Sequence, residues 1–129
     1  MKQSQTEKRW PDLSKPEDKI RHDLLKPEAT GVKYDQDKPR TDLLDPLALE
    51  GLARVMGFGA KKYAAHNWRG GISVSRLIGS VLRHTFAILR GEDLDPESGL
   101  PHVDHLGASW MMLSNMMKTR PDLDDRWRG

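Results

Sequence analysis

A chain of 129 residues, 31% of them charged and 36% hydrophobic, has the size of one domain rather than two. Its 21 Lys and Arg against 19 Asp and Glu leave a formal charge of +2, too balanced for a dedicated nucleic-acid binder despite a sequence pI of about 9.0. The absence of cysteine excludes disulfide scaffolds, thiolate metal sites and a Cys nucleophile, so any transition metal must be held by His and carboxylates.

From the N-terminus, MKQSQTEKRW lacks the apolar core of a signal peptide, and no run of 18 apolar residues follows anywhere. The chain therefore reads as a soluble cytoplasmic protein with no membrane partner. Residues 1–40 hold ten Lys or Arg, eight Asp or Glu and four prolines, with few aliphatics beyond Ile20, Leu24 and Leu25. Such a segment cannot offset its ordering entropy by burial. It is expected as a charged arm, disordered or packed on the body or a partner subunit, with one short helix near Glu17–Leu25.

The body, residues 41–120, opens at Asp45-Pro46, an N-cap followed by a proline suited to the first helical position. Leu47, Leu49, Leu52, Val55 and Met56 recur at helical spacing after it. Gly57 and Gly59 weaken the second half of this helix, and Gly70-Gly71 marks a turn. A second body helix starts after Ser73 or Ser75 and runs to Arg90 on Leu77, Ile78, Val81, Leu82, Phe86 and Leu89, with Gly91 as its stop. A polar loop, Glu92–Leu100, leads to a third helix opening at Pro101 and ending at Pro121, beyond which residues 121–129 read as a frayed tail. The result is an all-α, compact helical bundle with an extended N-terminal arm. Trp110 and the run Met111, Met112, Met116 and Met117 exceed what one small bundle covers, which leaves either a Met-filled core or a face buried in a homo-oligomer, dimer or tetramer.

The densest set of potential ligands lies between Arg83 and His105. His84 sits late in the second body helix, Glu92, Asp93, Asp95 and Glu97 in the loop, and His102, Asp104 and His105 at the start of the third helix. His102 and His105 are three apart and share a helix face. A short loop makes the two helices antiparallel, which carries His84 toward His105 with the loop carboxylates at the same end. Oxygen ligands suit Mg²⁺ or Mn²⁺, and imidazoles favour Mn²⁺, Co²⁺ or Zn²⁺. Each feature alone has an ordinary reading as a solvated loop or as surface and core histidines; their convergence points to a metal. Calcium is excluded, because Pro96 intrudes in the loop and Ser98 stands where a calcium loop needs glycine.

A second group is basic and aromatic: Lys61-Lys62-Tyr63, then His66-Asn67-Trp68-Arg69. Lys and Arg neutralise phosphates, aromatic rings stack on bases, and Asn offers a paired donor and acceptor. The purely structural reading is a helix C-terminus carrying lysines and a loop anchored by a buried Trp. Lys33, Lys38 and Arg40 add positive charge to the arm, and Glu50 stands beside an apolar face, paired with Arg54 or pointing into a site. No Walker loop, G-x-S-x-G or Ser/His/Asp triad spacing is present.

The segments GVKYDQDKPRTDLLDPLALEGLARVMGFGAKKYAAHNW, RH and GEDLDPESGLPHVDH, in this order and spacing over roughly residues 31–118, resemble the phage dATP/dGTP diphosphohydrolase family. That resemblance implies a MazG-like, all-α nucleoside triphosphate pyrophosphohydrolase, oligomeric, with sites built from paired helices. It implies cleavage between the α and β phosphates with a divalent metal (Mg²⁺ or Mn²⁺, with Co²⁺ also admitted). It also implies a link to phage 2-aminoadenine metabolism in the host cytoplasm. MazG proteins carry ExxE and ExxD on successive helices; here only Glu92–Asp95 has ExxD spacing, and it lies in the loop. Metal ligands are accordingly placed on the phage-type motif positions His84, Glu92, Asp95, Glu97, His102 and His105, not all of which need bind.

In the mechanism this implies, a metal-activated water attacks the α phosphorus in line with the pyrophosphate leaving group. Lys62, Arg83, Lys38 and Arg40 contact phosphate oxygens, Tyr63, Asn67 and Trp68 hold the purine, and Glu50 or Asp104 is the base. The alternatives are a nucleotide-binding protein without turnover (a sponge or anti-defence factor) and a DNA-associated protein using the basic arm, although nucleic acid is not the expected partner.

Overall fold

The computed structural model describes Trp10 and residues 12–129, and the chain divides into two units between Pro39 and Arg40. In the first unit, helix α1 spans Pro16–Leu25, with Pro in its first turn, Glu17 and Asp18 favourably placed at its positive end, and no buried residue. The segment from Lys26 to Pro39 contains no helix or strand; one turn is closed by the Lys38 N–H donating to the Asp35 carbonyl at 3.0 Å. That exposure matches a segment rich in charge and poor in aliphatics.

The second unit carries three further helices: α2 over Pro46–Lys62, α3 over Val74–Leu89 and α4 over His102–Thr119. The described residues contain no strand beyond an isolated bridge between Leu94 and Pro101, so the fold is all-α. Asp45 starts α2, its carboxylate accepting from the Ala48 N–H at 2.9 Å. The helix continues past Gly57 and Gly59 through Ala60, Lys61 and Lys62, where propensity alone does not decide. Each glycine costs about 1 kcal/mol against alanine, and the packing of Val55 and Met56 outweighs that. The turn that follows places His66 at φ 63°, a left-handed conformation unusual for a residue with a Cβ. Arg69 holds it there, donating from Nε to His66 Nδ1 at 3.1 Å while its guanidinium lies 4.4 Å over the Trp68 ring.

Helix α4 is the one on which both α2 and α3 pack. Trp68, Leu77 and Met116 form the buried centre, flanked by Met56, Ile72, Met111, Met112, Leu113 and Leu123. The methionine run therefore splits: Met116 is fully buried, whereas Val103, Trp110 and Met117, spaced by sevens, remain 60%, 57% and 43% exposed. Helix α2 approaches α4 closely at Gly51, where an added Cβ would overlap the Asp104 carboxylate.

The segment after Pro121 is docked rather than frayed. Pro121–Leu123 forms a 3₁₀ turn that delivers Leu123 to the core. Asp125 then caps α3, accepting from the Ser75 N–H at 2.8 Å and from the Ser75 hydroxyl at 2.5 Å. Periodicity does not reveal this, because the cap comes from a residue 50 positions away in sequence.

Candidate active site

A cavity of about 490 Å³ opens between the C-terminal half of α2, the Asn67–Gly70 turn and the facing sides of α3 and α4. Helical spacing explains what α3 contributes. Arg76, Ser80, Arg83 and His84 fall at i, i+4, i+7 and i+8, so one face presents two guanidiniums, a hydroxyl and an imidazole. Among the described residues neither Arg76 nor Arg83 has a carboxylate partner within 4.0 Å. From α4 come His105, Ser109 and Met112, and from α2 Phe58, Lys62 and, at its end, Tyr63. Ser80 and Ser109 meet hydroxyl to hydroxyl at 2.8 Å.

At the loop end of the cavity the hairpin gathers its histidines. His84 Nδ1 lies 2.9 Å from His102 Nδ1, and the His84 ring stacks on His105 with centroids 4.8 Å apart. Ser98 organises the loop beneath them. Its N–H and hydroxyl donate to Asp95 at 2.9 and 3.0 Å, and the Leu100 N–H donates to its oxygen at 3.1 Å. The same oxygen lies 2.6 Å from His105 Nε2. Ser98 Oγ thereby bridges Asp95 and His105 and holds the imidazole against the loop.

Burial is the main cause holding the His84 imidazole below its ordinary 6.5, and its histidine neighbours act in the same direction. Burial likewise lowers His105, over the opposing pull of Asp95. Both rings are then neutral at pH 7, and the 3.7 Å approach of His105 Nε2 to Asp95 is not an ion pair at that pH. For Asp95, burial opposes ionisation, but the two Ser98 hydrogen bonds and the nearby imidazoles bring the carboxyl below its usual value. Lys62 and Glu97 pair at 2.6 Å, and that hydrogen bond raises the lysine.

The sequence-predicted residues separate accordingly. Lys62, Tyr63, Asn67, Trp68, Arg83, His84, Glu97 and His105 line the cavity, while Asp95 and His102 stand behind His84 and His105. Trp68 lines the cavity as a core residue 7% exposed with Arg69 over its ring, whereas Tyr63, with Lys62 Nζ 5.2 Å from its ring, is exposed. Glu50 is exposed and does not line the cavity. Asp104 turns toward α2 at Gly51, where the missing side chain leaves room for its carboxylate. Arg40 is held by Asp42 through two 2.8 Å hydrogen bonds, and Lys38 belongs to the first unit. Glu97 faces Lys62, and Glu92 lies 3.5 Å from His102 Nε2. Sequence reasoning missed Arg76, Ser80 and Ser109, although the α3 spacing could have found the first two. It also missed Ser98, for which a serine in a polar loop gives no signal.

His84, Asp95 and His102 each offer one ligand atom, all within 4.8 Å of one another. The two Nδ1 atoms at 2.9 Å cannot both present bare lone pairs; a proton or a cation must lie between them. Two imidazoles and a carboxylate form a donor set suited to a divalent transition ion, so these residues fit a metal.

A family model described as dATP/dGTP diphosphohydrolase, N-terminal, matches residues 28–126. A dATP/dGTP diphosphohydrolase of Salmonella phage PMBT28 is 38% identical over 97 residues, covering 75% of this chain and 33% of that protein. The chain thus spans about a third of the length of this curated relative. No solved structure matches the chain. With the family model matching most of the chain, the chain belongs to the dATP/dGTP diphosphohydrolase N-terminal family.

Proposed function

We propose that this chain binds purine deoxynucleoside triphosphates in the cavity and hydrolyses dATP or dGTP to the monophosphate and pyrophosphate. The observation carrying this is the meeting of Lys62, Arg76 and Arg83 with the His84–His105 stack around one 490 Å³ space of nucleotide size. A divalent ion held by His84, Asp95 and His102 would supply charge neutralisation and a more acidic bound water. Arg83 and Lys62 hold phosphate oxygens, and Tyr63 and Asn67 face the purine. His105, which lines the cavity and is held by Ser98, takes the place of Glu50 and Asp104 as the group that accepts the proton from water. The donor set favours Mn²⁺ or Co²⁺ over Mg²⁺.

Such a reaction acts on the nucleotide pool of the cytoplasm, in a phage-infected host, and removal of dATP fits a role in 2-aminoadenine metabolism. The exposed seam of Val103, Trp110 and Met117 on α4, together with exposed Leu82, Phe86 and Leu89 on α3, supports a homo-oligomer. The displacement of Glu50 and Asp104 from the cavity favours a second reading, nucleotide binding without turnover.

The test is incubation of the purified chain with dGTP or dATP and Mg²⁺, Mn²⁺ or Co²⁺, followed by product separation. Monophosphate with pyrophosphate is expected. Diphosphate with orthophosphate overturns the chemistry, and metal-free tight binding with no product establishes the second reading.

A further inference from the structure

His102 is the most buried charge-capable side chain at the loop end, 4% exposed, and its two ring nitrogens have different surroundings. Nδ1 faces His84 Nδ1 at 2.9 Å. Nε2 is buried without a hydrogen-bond partner, and the nearest carboxylate oxygen is Glu92 Oε2 at 3.5 Å. A buried ring nitrogen left unpartnered is rare in folded proteins. The Glu92 carboxylate is 44% exposed, so a small torsion of its side chain closes the gap without disturbing the core.

Resting on the cation site proposed for His84, Asp95 and His102, we infer that Glu92 is not a ligand but a positioning residue: its carboxylate accepts the His102 Nε2 proton and thereby fixes the Nδ1 lone pair toward the ion. Several observations support this division. The buried Nε2 has no hydrogen-bond partner, and the Glu92 carboxylate is the group poised to meet a proton there. Nδ1 is the nitrogen that meets His84, a second ligand candidate. The main chain also holds Glu92 in place: its N–H donates to the Ala87 carbonyl at 2.9 Å, and the neighbouring Asp93 carbonyl accepts from the His102 N–H at 2.8 Å. The loop and the first turn of α4 are thereby locked in the register that sets Glu92 beside His102. A carboxylate behind a metal-binding imidazole raises the basicity of the ring and selects its tautomer.

Co²⁺ is the probe, titrated into the full chain and into Glu92→Gln, with affinity read by calorimetry and coordination by the visible absorption band. Wild type is expected to bind Co²⁺, and Glu92→Gln about 10- to 100-fold more weakly, with the same band at saturation and an unchanged melting temperature without metal. Long-range ¹H–¹⁵N spectra of metal-free wild type should show His102 protonated on Nε2. Equal Co²⁺ affinity in the variant, or protonation on Nδ1, overturns the inference while leaving the cation site standing. A changed band at saturation makes Glu92 a ligand and also overturns it. Absence of Co²⁺ binding by wild type removes the cation site itself, and the inference with it.

Discussion

At Arg83 the side chain folds back along its own helix, so that a Cβ added to Gly79 would sit 3.2 Å from its Nη1. That posture holds a cation on the cavity wall with no carboxylate within 4.0 Å among the described residues, which is the condition for binding a phosphate. Arg83→Ala is expected to raise the KM for dGTP about 10- to 100-fold, the equivalent of roughly 1.5–3 kcal/mol for a charge-assisted hydrogen bond, as measured by steady-state kinetics. At this scale the sequence is informative about residue type and spacing and silent about direction. His84, Asp95 and His102 are legible because a short hairpin forces them together. Asp104, two residues from His102, is not, because the room at Gly51 that draws it toward α2 is a property of helix packing. Trp68 shows the same limit: its ring is the right chemistry for stacking, but the core claims it.

Among the elements, α2 and α3 depend on contacts that their own sequences do not contain. Gly51→Ala is expected to lower unfolding stability by about 1–3 kcal/mol, because the new methyl meets a carboxylate rather than a flexible apolar end. The urea midpoint measures this, and Asp104→Ala in the same chain should restore most of the loss. Helix α3 is capped by Asp125, whose carboxyl the Ser75 hydroxyl and N–H hold below the ordinary 3.8. A depressed carboxyl contributes stability above its unfolded value and loses it as pH falls through the folded one. Asp125→Asn should therefore melt a few degrees below wild type at pH 7, with the gap narrowing as the pH drops below about 4. Helix starts and the ends of α3 and α4 are legible to within a residue or two because Asp45-Pro46, Gly91 and Pro121 punctuate the chain, while the end of α2 past Gly57 and Gly59 is left open. The cap on α3 is not legible, since nothing in DLDDRWRG marks which aspartate reaches back.

For the whole molecule, the balance between core and exposed apolar surface is the main constraint. Among the described residues only a handful of hydrophobic side chains are buried, while Trp110, Val103 and Met117 remain outside at heptad spacing. Light scattering is expected to give two or four times the 14.7 kDa chain mass, and Trp110→Glu to give the single-chain mass with the helical content retained.

The central claim is that the hairpin joining α3 and α4 holds a cation at one end of a nucleotide cavity. It is tested most directly by crystals grown with Mn²⁺ and a non-hydrolysable dGTP analogue, using anomalous diffraction to locate the metal. The expected result is a manganese peak within coordination distance of His84, Asp95 and His102, with the triphosphate between it and Arg83. An analogue bound in the cavity with no manganese on these three residues, or with its phosphates away from α3, would contradict it.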